Sequence, residues 1–229
     1  VLSGTLTSVG IDDNANATAI TIDSSERVGI GTVSPSSYYS GYDDLVVSTS
    51  GHTGMTIVAG TSSISAIAFA DGTSGQAQYE GEISYNHSTN ILGFGTAGTR
   101  RIYIDATGAV TMPSQPCVSA RASYTNIPIN TMTVITLDNE RFDVGSNLAS
   151  STFTAPVTGK YLYTYTIYFS NIDTAASALG IQTITSNRTY EHWLSPDHIA
   201  NSDFYYTMTN SQVADMDAND TLVFKAYCG

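Results

Sequence analysis

The sequence predicts an all-β protein with two successive β regions. Charged residues make up only 12% of the 229 residues, and Ser, Thr, Asn and Gly take their place. This composition favours strands joined by tight turns and disfavours helices. No window of eleven or more residues shows a convincing helical period, whereas short alternating runs recur along the chain. We therefore expect short strands in the N-terminal half, followed by an antiparallel sandwich or jelly roll.

The charge balance excludes several classes of partner. The net charge is −12, and the chain has only eight Lys and Arg residues. Nucleic acids and anionic membrane surfaces bind through such cations, so neither is an expected partner. No apolar run approaches the roughly 20 residues that span a membrane. Because Val1 is not an initiator Met, we expect a fragment or a processed product.

A strand–turn–strand pattern occurs twice in the N-terminal region. The segment AITIDSSERVGIGTVSP at 19–35 recurs 82 residues later as RIYIDATGAVTMPSQP at 101–116. Alternating apolar residues flank a hairpin-sized loop in both copies. Asp23 and Asp105 lead the two loops, and we expect their carboxylates to accept hydrogen bonds from the turn backbone. A catalytic carboxylate pair is the alternative. The repeat indicates a recurring β unit in a longer shaft.

Short predicted strands separated by turn residues fill the interval between the two copies. They end before a segment with two prolines and no apolar period, MPSQP at 112–116. We place a linker at 113–116, which makes 1–112 the first region and 117–229 the second. The predicted strands of the first region are DLVVST, GMTIVAG, SAIAFADG, GEISYNHS, ILGFGT and RRIYID.

The second region contains longer alternating strands and no helical pattern, which is typical of a sandwich or jelly roll. Its central feature is KYLYTYTIYF, in which Tyr161, Tyr163 and Tyr165 share one face. The other face is also half apolar, so we expect both faces to be covered. A second sheet of the chain is one cover. A neighbouring copy is the other, and a homotrimer is therefore expected.

The same strand carries a family resemblance. Phe153, Ala155, Pro156, Gly159 and Tyr161 resemble the entry to the central strand of the globular-head family of complement and tumour necrosis factor, and MDANDTLVFKAY resembles a later strand entry. The resemblance implies a trimeric jelly roll over 117–229. That family continues for two further strands beyond this point. We therefore expect that the last strands are either missing or supplied by a neighbour.

The first region is similar to structural and fibre proteins of tailed bacteriophages. The similarity rests on SSERVGIGTVSP and on the segment from AFADGTSG to YIDATGAV, within 15–112. It implies a shaft or collar followed by a distal head. Together, the two resemblances imply a homotrimeric virion fibre that is assembled in the host cytoplasm with other virion proteins.

The best candidate binding segment is TYEHWLSPDH at 189–198. Tyr190, His192 and Trp193 cluster beside Asp197, and aromatic faces stack on sugar rings while carboxylates bond hydroxyl groups. We therefore propose these four residues as a glycan site. The alternative is that Trp193, the single tryptophan, is a core or trimer-contact residue.

Other polar groups have weaker functional interpretations. Asp215, Asp217 and Asn219 alternate in DMDAND as candidate Ca²⁺ ligands, although so few ligands are present that a plain surface turn is the preferred interpretation. No other cofactor is expected. Glu80 and Glu82 could form a glycosidase pair on one strand face, or a charged strand edge. We expect the two cysteines, Cys117 and Cys228, to be buried and reduced.

Three functions remain open on the sequence alone. The first is a non-enzymatic virion fibre that binds a host-surface glycan through its trimeric tip. The second is a purely structural fibre, collar or head decoration. The third is a glycan-cleaving tailspike. Adhesion is preferred because a head placed last exposes its loops at a distal end.

Overall fold

A computed structural model describes residues 18–173, 176–195 and 205–229. The predicted fold class is confirmed, because these residues form eighteen strands and two short 3₁₀ turns, at Pro35–Ser37 and Gly75–Gln78. From residue 117 onward, the described strands all pair antiparallel. None of the described residues belongs to a helix long and apolar enough to cross a membrane.

The chain divides into two compact units. Of the described residues, the first unit comprises 18–66 together with 86–88, and the second comprises 67–85 and those from 89 onward. This division falls earlier than the predicted linker at 113–116. No strand crosses that linker, since one strand ends at Thr111 and the next begins at Cys117. The domain boundary there stays a prediction.

The first unit contains a small sheet of β1 (Ile20–Ile22), β2 (Val28–Ile30) and β3 (Leu45–Val47). β1 and β2 pair antiparallel as the predicted hairpin, and β2 pairs with β3 in parallel. Val46 is the buried hydrophobic residue of these strands. A sheet of three-residue strands with so little buried apolar surface is only marginally stable on its own. Many apolar side chains of this unit are exposed to solvent.

Both predicted Asp-led turns are confirmed. The Asp23 carboxylate accepts hydrogen bonds from the backbone N–H groups of Ser25 and Arg27 at 2.8 and 3.2 Å. The Asp105 carboxylate likewise accepts from the N–H groups of Thr107 and Ala109 at 2.8 and 3.0 Å. These bonds account for the repeated Asp without any catalytic role.

A second sheet has five strands in consecutive order. Sequence order and spatial order coincide, as in an antiparallel meander with short turns. Its β7–β8 hairpin is the second copy of the repeat. The strands are β4 (Ile64–Phe69), β5 (Gly81–Asn86), β6 (Ile91–Thr96), β7 (Thr99–Ile104) and β8 (Val110–Thr111).

One predicted strand is absent. Residues 54–60, GMTIVAG, form no strand pair in the described chain, and most of the segment is exposed. Met55 is 65% and Val58 is 85% exposed. The sequence pattern reports the propensity of this segment for extended backbone. A strand also needs a neighbouring strand to which its backbone can hydrogen-bond.

The C-terminal sandwich has one large sheet and two small ones. The large sheet has the order β12-β13-β18-β15-β16, with β10 also paired to β18. The small sheets are β14-β17 and β11-β9. The chain crosses between sheets from β14 to β15, from β16 to β17 and from β17 to β18, as in a jelly roll. The strands are β9 (Cys117–Arg121), β10 (Thr133–Val134), β11 (Asn139–Val144), β12 (Leu148–Ala149), β13 (Thr152–Thr154), β14 (Gly159–Phe169), β15 (Leu179–Thr185), β16 (Thr189–Leu194), β17 (Tyr206–Met216) and β18 (Thr221–Cys228).

Two apolar clusters fill the sandwich. One surrounds Leu179 and Ile181 of β15, and the other surrounds Ala214 and Met216 of β17. Phe224 of β18 packs against both clusters. The core therefore joins side chains of the large sheet to those of the β14-β17 pair.

The two faces of β14 differ more than the sequence indicates. Its tyrosines at 161, 163 and 165 pack against the core, and Tyr163 makes ring contacts with Tyr190 and Phe224. On the other face, Leu162 is 74% and Tyr168 is 61% exposed. The expected cover of this second face is therefore not supplied by the described residues of one chain.

Candidate functional site

A patch of aromatic and polar side chains lies on the outer face of the large sheet. Strand register sets Trp193 of β16 opposite Gly180 of β15, and Gly180 opposite Tyr227 of β18. Two residues further along each strand, the register sets Glu191 opposite Gln182, and Gln182 opposite Lys225. Residues two apart on a strand share a face, so both rows lie on the same side. We call Trp193, Tyr227, Glu191, Gln182 and Lys225 the outer patch.

The glycine in the first row lets the indole lie flat against the sheet. A Cβ atom at position 180 would come within 2.5 Å of the Trp193 ring. Tyr227, on the other neighbouring strand of Gly180, makes an edge contact with the Trp193 ring, with centroids 5.4 Å apart and planes at 67°. The Tyr227 hydroxyl donates to Asn130 Oδ1 at 2.9 Å. Two aromatic rings are therefore held in fixed orientations.

Glu191 orients the indole from the second row. Its Oε2 accepts a hydrogen bond from Trp193 Nε1 at 2.9 Å, and its Oε1 accepts one from Gln182 Nε2 at 2.6 Å. Both carboxylate oxygens are thus engaged by neighbours on the same face. Despite these contacts, Trp193 keeps 46% of its surface exposed. A large ring that is fixed but accessible is suited to contact with a ligand.

The chemistry of the outer patch suits recognition of a ligand. An exposed indole face can stack on an apolar ring face, and the amide, carboxylate and ammonium groups beside it can bond hydroxyl groups.

The structure separates the predicted glycan-site residues. Trp193 faces solvent, whereas Tyr190 packs against the inner cluster and makes an edge contact with Tyr163. His192 is exposed near the edge of the sheet, but it shares the inward face of β16 with Tyr190. Asp197 lies outside the described residues. Of the three described candidates, only Trp193 belongs to the outer patch, because alternate residues of a strand face opposite ways.

The predicted calcium ligands have other partners. Asp215 forms an ion pair with Lys160 at 2.6 Å, which lowers the pKa of Asp215 through a hydrogen bond and charge attraction. Asp217 accepts a 3.4 Å hydrogen bond from Thr158, and the Asn219 N–H donates to the Ala155 carbonyl. In the described part of the chain, no three His, Cys, Asp or Glu side chains lie close enough to hold a metal ion. Calcium binding by this segment stays a prediction.

The Glu80 and Glu82 pair also has structural partners. Glu82 forms an ion pair with Arg100 at 2.7 Å, and Glu80 accepts hydrogen bonds from Gln76 at 3.0 and 3.1 Å. Glu80 precedes β5 rather than lying within it. Both carboxylates therefore stabilise the local sheet and turn.

The expectation of two buried cysteines is wrong for one of them. Cys228 is buried and Cys117 is exposed, and both are free thiols. Burial raises the pKa of the Cys228 thiol. Cys117 begins β9, at the border of the sandwich, so its side chain has less cover than the apolar pattern indicates.

Sequence reasoning missed four residues of the outer patch, namely Glu191, Tyr227, Gln182 and Lys225. The last three come from β15 and β18, and only the strand register brings them beside Trp193. Gly180, inside an otherwise apolar run, is the one signal in the sequence. An isolated glycine within a strand indicates the close approach of another group.

Comparison with known proteins gives one structural similarity. No protein-family model and no curated protein matches the chain. Among solved structures, the globular domain of the zebrafish complement 1qA protein is similar with 12% identity and a TM-score of 0.39. The match covers 49% of this chain and 85% of that domain. A similarity of this size carries no conclusion about fold or function.

Proposed function

We propose that this chain is a non-enzymatic adhesion module of a virion fibre, and that its outer patch binds a host-surface glycan. The observation that carries the proposal is Trp193, an indole fixed by Glu191 and Gly180 yet 46% exposed. Burying a large aromatic ring is favourable, so exposure of a held ring favours a binding role. Stacking and neutral hydrogen bonds also suit a chain with few charges.

The fibre context comes from the sequence resemblances and from exposed apolar side chains in the first unit. Ile20 and Ile22 are 63% and 70% exposed, and Tyr42 is 83% exposed. Side chains of this kind favour self-association. A homotrimer would present three outer patches, and linked weak sites gain about 10² to 10⁴ in avidity.

A purely structural fibre, collar or decoration protein is the second candidate. The exposed apolar residues of the first unit favour it, because they require a covering surface but no soluble ligand. In that case Trp193 would contact another subunit or another virion protein. A glycan-cleaving tailspike has no comparable support, since Glu80 and Glu82 are held by Gln76 and Arg100.

The single tryptophan allows a direct binding test. Purified protein is titrated with purified bacterial capsular polysaccharides and lipopolysaccharides, while the fluorescence of Trp193 is recorded. Under the proposal, at least one polysaccharide changes the emission, and its chain length stays constant on gel filtration. Trp193→Ala removes the tryptophan signal, so binding of this variant is measured by calorimetry, where a loss of at least tenfold is expected.

A matched control separates the patch from a general surface effect. Phe142→Ala removes an exposed aromatic ring of the sandwich that lies outside both the outer patch and the first unit, and it should leave glycan affinity unchanged. Shortened polysaccharide would instead identify an enzyme. If no polysaccharide binds and particles lacking the chain fail to assemble, the structural function is correct.

A further inference from the structure

A long groove opens the core of the sandwich between two strand edges. Its volume is about 1470 Å³, and its lining includes residues 116–129 and 161–173. The volume exceeds the roughly 300–1,000 Å³ of common small-molecule pockets. Phe224 and Leu222 of the large sheet also line the groove. The groove therefore exposes side chains that a closed sandwich would cover.

Both bordering strands lack a partner on one side within the described chain. β14 pairs only with β17, and β9 pairs only with β11. Consecutive residues of β14 from Tyr161 to Phe169 line the groove, so the strand edge borders it as well as the inward face. Unpaired backbone groups along a strand edge are a template for another strand.

The β14 edge carries few of the features that normally block strand addition. It is paired with β17 over eleven consecutive positions without a bulge. Lys160 is its one charged residue, and that side chain is engaged by Asp215. Natural edges are commonly protected by charges, prolines or bulges. This edge instead resembles an interior strand that lacks its neighbour.

We propose that the groove is filled by an extended strand from a second copy of this chain, namely residues 54–60. This segment has the composition of a strand, forms no strand pair, and exposes Met55, Ile57 and Val58 to solvent. The segment and the groove are thus complementary. The segment is strand-like but unpaired, and the groove is bordered by two strands that are each unpaired on one side.

The dimensions and chemistry of the segment match the groove. Seven extended residues span about 23 Å, between the roughly 17 Å of β9 and the roughly 36 Å of β14. Residues 54–60 carry no charge, and Arg121 and Asp173 are the charged residues in the groove lining. In an extended segment Met55 and Ile57 share one face, which would cover the apolar floor.

The arrangement also explains why one strand, rather than a second sheet, is the occupant. A strand that fills the groove pairs with β9 on one side and β14 on the other, so it must have two free edges. Residues 54–60 form no strand pair on either side, and the Ile57 carbonyl, which accepts a hydrogen bond from Ser65 Oγ at 3.0 Å, would exchange that bond for one in the groove. Donation from one copy to the next is a head-to-tail contact, which closes in a ring when the rotation permits.

Hydrogen exchange of the full chain tests the proposal. Samples at low and high protein concentration are exchanged, digested and analysed by mass spectrometry. We expect β9 and β14 to gain protection with increasing concentration, because the donated strand binds their free N–H groups. Protection that does not change with concentration, or a gain confined to other strands, would overturn the proposal.

Two variants and a peptide identify the donor segment. Ile57→Asp places a carboxylate against an apolar floor and should weaken the concentration-dependent protection at least about tenfold. Val157→Asp introduces the same charge at an exposed apolar site of the sandwich, outside both the segment and the groove lining, and should leave the protection unchanged. A peptide of residues 53–60 should restore protection of β14 in dilute protein. Failure of the peptide to protect, or equal behaviour of the two variants, would show that another segment is the occupant.

Discussion

The indole of Trp193 lies directly against Gly180, its register partner on the adjacent strand. A Cβ at position 180 would lie 2.5 and 2.6 Å from two ring carbons of Trp193. Real Cβ atoms do not approach other atoms this closely, so a side chain at 180 and the observed indole position exclude each other. This contact sets the orientation of the most exposed large ring of the outer patch.

Gly180→Ala is expected to displace the indole. Because Trp193 is on an edge strand and partly exposed, it should move outward, with a stability loss of about 1 kcal/mol. Tryptophan emission should shift to longer wavelength and become more accessible to acrylamide. Gly51→Ala is the control, since a Cβ there meets no atom within 4 Å. Unchanged quenching in Gly180→Ala would contradict the described contact.

Tyr163 should contribute strongly to stability. Its ring contacts Tyr165, Tyr190 and Phe224 in the core, so Tyr163→Ala should cost about 3 kcal/mol of unfolding free energy. Leu162→Ala, one residue away on the exposed face, should cost less than about 0.5 kcal/mol. Urea denaturation of dilute protein measures both values. Similar losses of unfolding free energy in the two variants would indicate that the assignment of the core-facing side of β14 is wrong.

The hydroxyl of Tyr163 should be dispensable for stability. The Thr183 hydroxyl donates to Tyr165 Oη at 3.2 Å, and Tyr163 Oη is buried without a hydrogen-bond partner among the described residues. Burial raises the pKa of Tyr163. Tyr163→Phe should therefore leave the unfolding free energy unchanged or raise it by about 1 kcal/mol. A clear loss in the same urea experiment would show that the hydroxyl is bonded in solution.

The Asp105 turn should weaken in acid. A hydrogen bond from the Thr107 hydroxyl, followed by bonds from backbone N–H groups, holds the pKa of Asp105 below its usual value. The charged carboxylate thus stabilises the folded turn above the unfolded-state pKa, and this contribution is lost as pH falls through the lower folded-state pKa. Carboxyl NMR titration should show Thr107→Ala raising the pKa of Asp105 while the pKa of Asp23 stays constant.

The protein should form a homotrimer at micromolar concentration. Sedimentation equilibrium should give three times the monomer mass. Ile22→Asp charges a residue that is 70% exposed in the first unit and should weaken the assembly. Val157→Asp alters a residue of the sandwich that is 58% exposed and serves as the control. A stable monomer of the unmodified chain would be decisive against the trimer.

Much of the local structure follows from the sequence alone. Alternating apolar residues and Asp-led loops predict the β1–β2 and β7–β8 hairpins, because turn chemistry and strand periodicity act between near neighbours. The same rule places Tyr161, Tyr163 and Tyr165 on one face of β14. The low charge and the lack of helical periodicity determine the all-β class.

Long-range strand pairing decides the parts of the fold and of the outer patch that the local sequence does not predict. Residues 54–60 have the composition of a strand but pair with no strand in the described chain. Gly180, Trp193 and Tyr227 meet only because β15 lies between β16 and β18. Alternation likewise separates Tyr190 from Trp193, although they are close in the sequence. The sequence determines which residues prefer a strand. The tertiary structure decides which strands become neighbours, because each pairing depends on backbone groups and side chains that are distant along the chain.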